Sequence, residues 1–241
     1  VERSRGLGDV YKRQVMEFIS GETIPRKILR DDIFKKIRTS ITFRMGEILA
    51  KIHQSDISNL GELKEMSFDE SLKELYKVYS SFKEPQPVFE YAFNFLAKKN
   101  LKNPNNVLVH GDYRLGNFII SENALNSVID WELSHIGSPL EDLSWLCVKS
   151  WRFGKNRKRV AGLGNLDDLI KGYESNSSIK IDLNELDTWQ IYGSLRWGVI
   201  CMIQTFYHLN NDLNSLEKAA IGRRVSETEF DLMNMIKNKK F

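Results

Sequence analysis

The chain of 241 residues has little of what would place it in several broad classes. Its only two cysteines, Cys147 and Cys201, are too few for a disulfide framework. Both stand among apolar neighbours and read as reduced, buried thiols of a cytoplasmic protein. No apolar run reaches the ~18 residues of a membrane-spanning helix, so no membrane association is expected. No N-terminal stretch has the apolar centre of a secretory signal. An excess of one charge is nearly absent as well. The formal net charge is +3, and Arg3, Arg5, Lys12 and Arg13 against Glu2 and Asp9 account for two of those charges within the first fourteen residues. The remainder is close to neutral, and the tail Lys237-Asn238-Lys239-Lys240 reads as a solvated end. No nucleic-acid partner is expected. There is no internal repeat and no low-complexity segment.

What is present is ordinary globular material, 41% hydrophobic and 28% charged, enough for one sizeable core. Apolar residues at Ile33, Ile37, Ile41, Phe43, Ile48 and Leu49 predict an amphipathic helix within 31–53. Ser67-Phe68-Asp69-Glu70 is a capping box opening a helix, which Pro85 and Pro87 end. A further helix is expected over 88–99. Another runs over 183–209, with Trp189, Tyr192, Trp197, Phe206 and Tyr207 as core residues. Ser138-Pro139 reads as an N-cap and first helical residue, with Glu141 and Asp142 in the first turn. Leu140, Leu143, Trp145 and Leu146 read as core. Ser226-Glu227-Thr228-Glu229 reads as a capping box opening a last helix through Met235.

The chemistry lies in His110-Gly111-Asp112-Tyr113-Arg114-Leu115-Gly116-Asn117 and, thirteen residues after Asn117, Asp130 in Ile129-Asp130-Trp131-Glu132. Short strands are expected at 107–109, 118–120 and 127–130, with a turn at 121–126. A hairpin of the last two strands brings Asn117 near Asp130, and the loop holding Asp112 precedes both. One carboxylate and one amide oxygen are enough protein ligand for Mg²⁺, which keeps waters and substrate phosphates for the rest. A second carboxylate free of the metal can orient a hydroxyl and accept its proton. Phosphoryl transfer needs little more from a protein than this positioning and charge neutralisation.

The pattern H-G-D-x-x-x-x-N followed by I-D-W-E resembles the aminoglycoside phosphotransferase family, which has a kinase-like fold. The form VHGDYRLGNFII…VIDWELSHIGSPLEDLSWLC is similar to its bacterial members and to the kinase-like domains attached to some acyl-CoA dehydrogenases. The resemblance runs from about Val15 to the C-terminus. It implies an α+β fold, mostly helical with a small catalytic β-hairpin. It implies Asp112 as the residue that takes the substrate hydroxyl and Asn117 and Asp130 as ligands of Mg²⁺. ATP (or GTP) would be the phosphoryl donor, and a small-molecule hydroxyl the acceptor. Arg114 stands where many protein kinases place a Lys that touches the transferred group, and a guanidinium suits that place. His110 is expected to support the loop by hydrogen bonding and Asp142 to brace it. Glu132 is expected in solvent. Ser138 replaces the Asp of many relatives, and Ser also caps.

Residues 1–14 read as the translation of a sequencing-library adapter and are set aside. Val15 to Gly21 then resembles the hinge between the lobes of a kinase-like fold, so Glu17, Phe18 and Ile19 are expected to hold the adenine edge. On that reading 15–241 is a C-terminal lobe without its smaller partner, a fragment inactive alone. The acceptor stays open between an aminoglycoside-like and a hydroxyacyl-CoA-like molecule, and so does the oligomeric state. The basic, aromatic stretch 151–159 leans slightly to an anionic or acyl acceptor, although a solvated loop is the better account of it. A non-catalytic kinase-like binding module is the alternative class. A two-metal hydrolase is a third, and it is disfavoured because His53, His110, His135 and His208 show no ligand spacing around the motif.

Overall fold

The computed structural model describes residues 17–101, 105–210 and 215–239. The adapter-like segment lies outside the described residues. The helices are α1 (Pro25–Arg30), α2 (Ile41–His53), α3 (Phe68–Ser81) and α4 (Pro87–Leu96), then, after four short strands, α5 (Pro139–Trp145), α6 (Leu166–Ser175), α7 (Leu183–Asn210), α8 (Leu216–Gly222) and α9 (Val225–Lys239). The strands are β1 (Val107–Val109), β2 (Phe118–Ile120), β3 (Leu125–Val128) and β4 (His135–Gly137). They form two antiparallel pairs, β1 with β4 and β2 with β3. The class is α+β, mostly helical, as expected.

Local sequence explains most boundaries. Ser67 accepts from the Glu70 N–H while the Glu70 carboxylate accepts from the Ser67 N–H, so α3 opens on a complete capping box. Pro87 sits at the start of α4, where its missing N–H costs nothing. Ser138 caps α5 through Leu140 N–H, with Pro139 next.

Four expectations need correction. Phe206 and Tyr207, read as core, are exposed, because the buried part of α7 ends at Met202. The region 31–40 is not part of a long helix. It forms two 3₁₀ turns, in which Phe34 and Ile37 are buried three residues apart, the period of that tighter helix. The third strand starts at Leu125 and stops at Val128, so Asp130 lies beyond it in a left-handed conformation with φ 71°. The last helix starts at Val225, and Ser226 lies inside it. The Arg224 carbonyl, not a serine, takes the Thr228 N–H.

The larger hydrophobic cluster runs from Ile28 to Ile236, and a smaller one gathers Trp145, Val148, Trp151, Trp197 and Cys201. The densest seam of the larger cluster is α2 against α6. A Cβ on Gly46 would come within 2.1 Å of the Leu169 carbonyl oxygen, and one on Gly172 within 2.0 Å of the Phe43 carbonyl oxygen. The two helices therefore touch backbone to backbone, which holds the C-terminal end of α2, and with it His53, beneath β1. Among the described residues no helix is long and apolar enough to cross a membrane. Cys147 and Cys201 are free and buried, and burial pushes their thiols up to about 11 and about 12.

Candidate active site

Asp112 sits in the loop between β1 and β2 with its side chain 15% exposed. Its carboxylate meets three donors. Trp145 Nε1–H donates to Oδ1 at 2.7 Å, Asn117 Nδ2 to Oδ2 at 2.6 Å, and Arg114 Nε–H is shared between both oxygens at 3.0 Å. These hold the carboxylate in one orientation. A carboxylate offers roughly four lone-pair sites, so acceptor capacity remains for a substrate hydroxyl.

The loop is fixed from below. Asp142, fully buried on α5, accepts from the N–H groups of His110 at 2.7 Å and Gly111 at 3.0 Å. Gly111 has φ 82°, and a Cβ there would lie 2.5 Å from the Leu133 carbonyl oxygen, so only glycine fits. His53 Nε2 faces the same carboxylate at 3.3 Å, and its Nδ1 meets the Tyr173 hydroxyl at 2.9 Å. Burial acts to raise the Asp142 pKa. The hydrogen bonds from His53 and from the His110 N–H outweigh it and hold the carboxyl below its usual range. Burial also pushes the Tyr173 phenol up to about 12, so it stays a donor to the imidazole.

His110 supports the loop as expected. Its Nδ1 accepts from the Asp112 N–H at 3.1 Å and so carries no proton. Its Nε2–H donates to the Ile129 carbonyl at 3.0 Å. One ring thus ties the loop to the hairpin. The hairpin supplies the other oxygens. The Asn117 carbonyl accepts from Ile129 N–H at 2.9 Å, so Asp130 lies one residue past the cross-strand partner of Asn117. Because Asn117 Nδ2 donates to Asp112 at both the backbone and side-chain oxygens, its amide oxygen faces away from Asp112. Asp130 is exposed, and no described residue donates to its carboxylate. An amide oxygen and a carboxylate with vacant lone pairs fit a hard cation such as Mg²⁺. Among the described residues no group of three or more His, Cys, Asp or Glu side chains could hold a metal.

Asp112, Arg114 and Asn117 are thus in mutual contact, and Asp130 directly follows Ile129, the backbone partner of Asn117. Arg114 grips Asp112 itself, and its guanidinium lies 4.8 Å from the centre of the Trp151 ring. Glu17 and Phe18 are exposed, Phe18 at 90%, and Ile19 is partly buried. They precede the Glu22–Ile120 bridge to β2, and no hydrogen bond among the described residues joins them to Asp112. Glu132 is exposed, as expected.

Two contributors escaped the sequence reading. Trp145, read as core, is 3% exposed, and its polar edge is on Asp112. The signal was its position: three residues after Asp142 on one helix, it faces the same loop. The other is His53, whose place four residues after buried Leu49 turned it inward. Around Trp145, Arg196 lies 4.9 Å from the ring centre and pairs with Glu141, which also meets His135. Burial works against the charged imidazole, but the Glu141 hydrogen bond and charge prevail and raise the His135 pKa.

The sequence pattern of the Phosphotransferase enzyme family matches residues 5–175. Acyl-CoA dehydrogenase family member 11 of Pongo abelii is 30% identical over 152 residues, which are 56% of this chain and 19% of that protein. The match thus spans about a fifth of the length of that curated relative. A putative aminoglycoside phosphotransferase from Ralstonia eutropha superposes with a TM-score of 0.74 at 21% identity, over 93% of this chain and 72% of its own. A spectinomycin phosphotransferase in complex with ADP and spectinomycin superposes with a TM-score of 0.53 at 18% identity, over 80% and 65%. The fold is the kinase-like fold of these phosphotransferases.

Proposed function

We propose, starting from the fact that the chain belongs to the phosphotransferase enzyme family, that it moves the γ-phosphoryl group of ATP to the hydroxyl of a small molecule. The observation that carries the reading is the contact of Asp112 with Asn117 beside Asp130. Asp112 orients the acceptor hydroxyl and takes its proton as the oxygen bonds to the γ-phosphorus. The bond from that phosphorus to the β–γ bridging oxygen breaks, and ADP leaves. Asn117 and Asp130 would hold Mg²⁺, which when bound neutralises phosphate charge. Arg114 orients Asp112 and brings a fixed positive charge to the transferred group. Glu17, Phe18 and Ile19 are assigned to the adenine edge. The ADP in the spectinomycin phosphotransferase complex supports the choice of nucleotide. The acyl-CoA dehydrogenase relatives support a hydroxyacyl-CoA-like acceptor, and the aminoglycoside phosphotransferase neighbours an aminoglycoside-like one.

The test is phosphate transfer from labelled ATP across a panel of hydroxylated compounds. It is run with the 241-residue chain. Asp112→Asn should abolish transfer while leaving the unfolding midpoint nearly unchanged, because the isostere keeps the loop's packing. Transfer retained by Asp112→Asn would remove the assigned role.

A further inference from the structure

Resting on the phosphotransferase reading, the acceptor can be narrowed by the surface next to the reacting carboxylate. A cavity of about 800 Å³ opens between α1, the 3₁₀ turn Lys149–Arg152 and the start of α9. Lys149 and Ser150 line it, and the next residue, Trp151, carries the Arg114 guanidinium on its ring. The cavity is therefore one indole and one guanidinium from Asp112.

Its charges are unequally used. The two carboxylates in the wall, Asp231 and Glu227, are already paired, with Lys149 and Arg224 respectively. Arg26, also in the wall, is exposed and has no carboxylate partner among the described residues. The wall continues into 149–159, which holds six Lys and Arg residues and no Asp or Glu. Of these, Lys155, Arg157 and Lys158 are exposed, and no described carboxylate pairs with them. The rest of the chain carries a net negative charge, so this is a local concentration of unspent positive charge. A polycationic acceptor would meet that charge and would have to displace two formed ion pairs. An anion meets free guanidinium and ammonium groups, and a phosphate or carboxylate suits the fork of Arg26.

We infer that this cavity binds an anionic arm, phosphate or carboxylate, of the acceptor whose hydroxyl reaches Asp112. Calorimetric titration of the chain with pyrophosphate, succinate and kanamycin tests it. At least one of the two anions should bind, tightening as salt is lowered, and Arg26→Ala should weaken it about tenfold. The tighter of the two identifies the arm as phosphate or carboxylate. Saturating Mg·ADP should leave the anion affinity unchanged. Binding of kanamycin and neither anion, no effect of Arg26→Ala, or competition by Mg·ADP overturns the inference. Asp112→Asn separates the two readings. Anion binding that survives in a chain for which no transfer is ever found leaves this site standing and removes the phosphotransferase. Transfer without anion binding does the reverse.

Discussion

At the scale of single residues, the site depends on how one carboxylate is held. Asp112 faces an indole N–H, a guanidinium N–H and an amide N–H, and each contributes a different constraint. Arg114 brings charge, and Asn117 ties the base to the metal-side oxygens. Trp145 brings only direction, from a rigid, fully packed ring. A hydrogen bond to a charged acceptor is worth about 1.5–3 kcal/mol. Trp145→Phe keeps the ring's bulk and removes the donor, so the fold should survive while the carboxylate swings. Two measurements follow. In the transfer assay kcat should fall about tenfold or more with KM little changed. In the 241-residue chain the indole Nε1–H resonance missing from the Trp145→Phe spectrum should lie downfield of the other tryptophans and move upfield in Asp112→Asn. An unmoved resonance would mean that the indole does not touch the carboxylate.

At the scale of elements, the motif residues were legible because their spacing is local: five positions from Asp112 to Asn117 fix a loop, and the hairpin returns Asp130. Ser67, Glu70 and Ser138 announced α3 and α5 for the same reason, since a cap is written within four residues. The contact of Tyr173 with His53, separated by 120 residues, was not legible, because only the close α2–α6 seam creates it. Strand β4 was missed because its three residues gain order only by pairing with β1. That strand carries a pH effect. His135 on β4 meets Glu141 on α5, which also holds Arg196 on α7, and Asp142 adds negative charge nearby. The folded-state pKa of His135 is raised, so its stabilisation is fully present below its ordinary value near 6.5 and is lost as pH rises through the raised value. Urea midpoints measured from pH 5.5 to 8.5 should therefore fall over that window in the native chain. His135→Gln should flatten that part of the profile. An unchanged slope in the variant would show that the pair is not coupled to folding.

At the scale of the whole molecule, the described ends of the chain share one core. Ile28 near the start and Leu232 and Ile236 near the end belong to the same buried cluster, and α9 closes it against α7 and α4. The same helix presents Glu227 and Asp231 to the proposed anion cavity, so the C-terminal element is both a lid on the core and a wall of the site. Loss of packing under α9 should therefore unseat both together. Leu232 is fully buried, and Leu→Ala substitutions at such positions cost about 2–5 kcal/mol through lost transfer energy and the cavity left behind. Leu232→Ala should lower stability by that amount in urea denaturation. Far-ultraviolet circular dichroism and tryptophan fluorescence should still give coincident transitions, because the smaller cluster of Trp145, Trp151 and Trp197 shares α5, α7 and Val225 with the larger one. A fluorescence transition that precedes loss of helix in the variant would show that α9 and the tryptophan cluster at Trp145, Trp151 and Trp197 separate from the rest, and that the two clusters unfold as independent units.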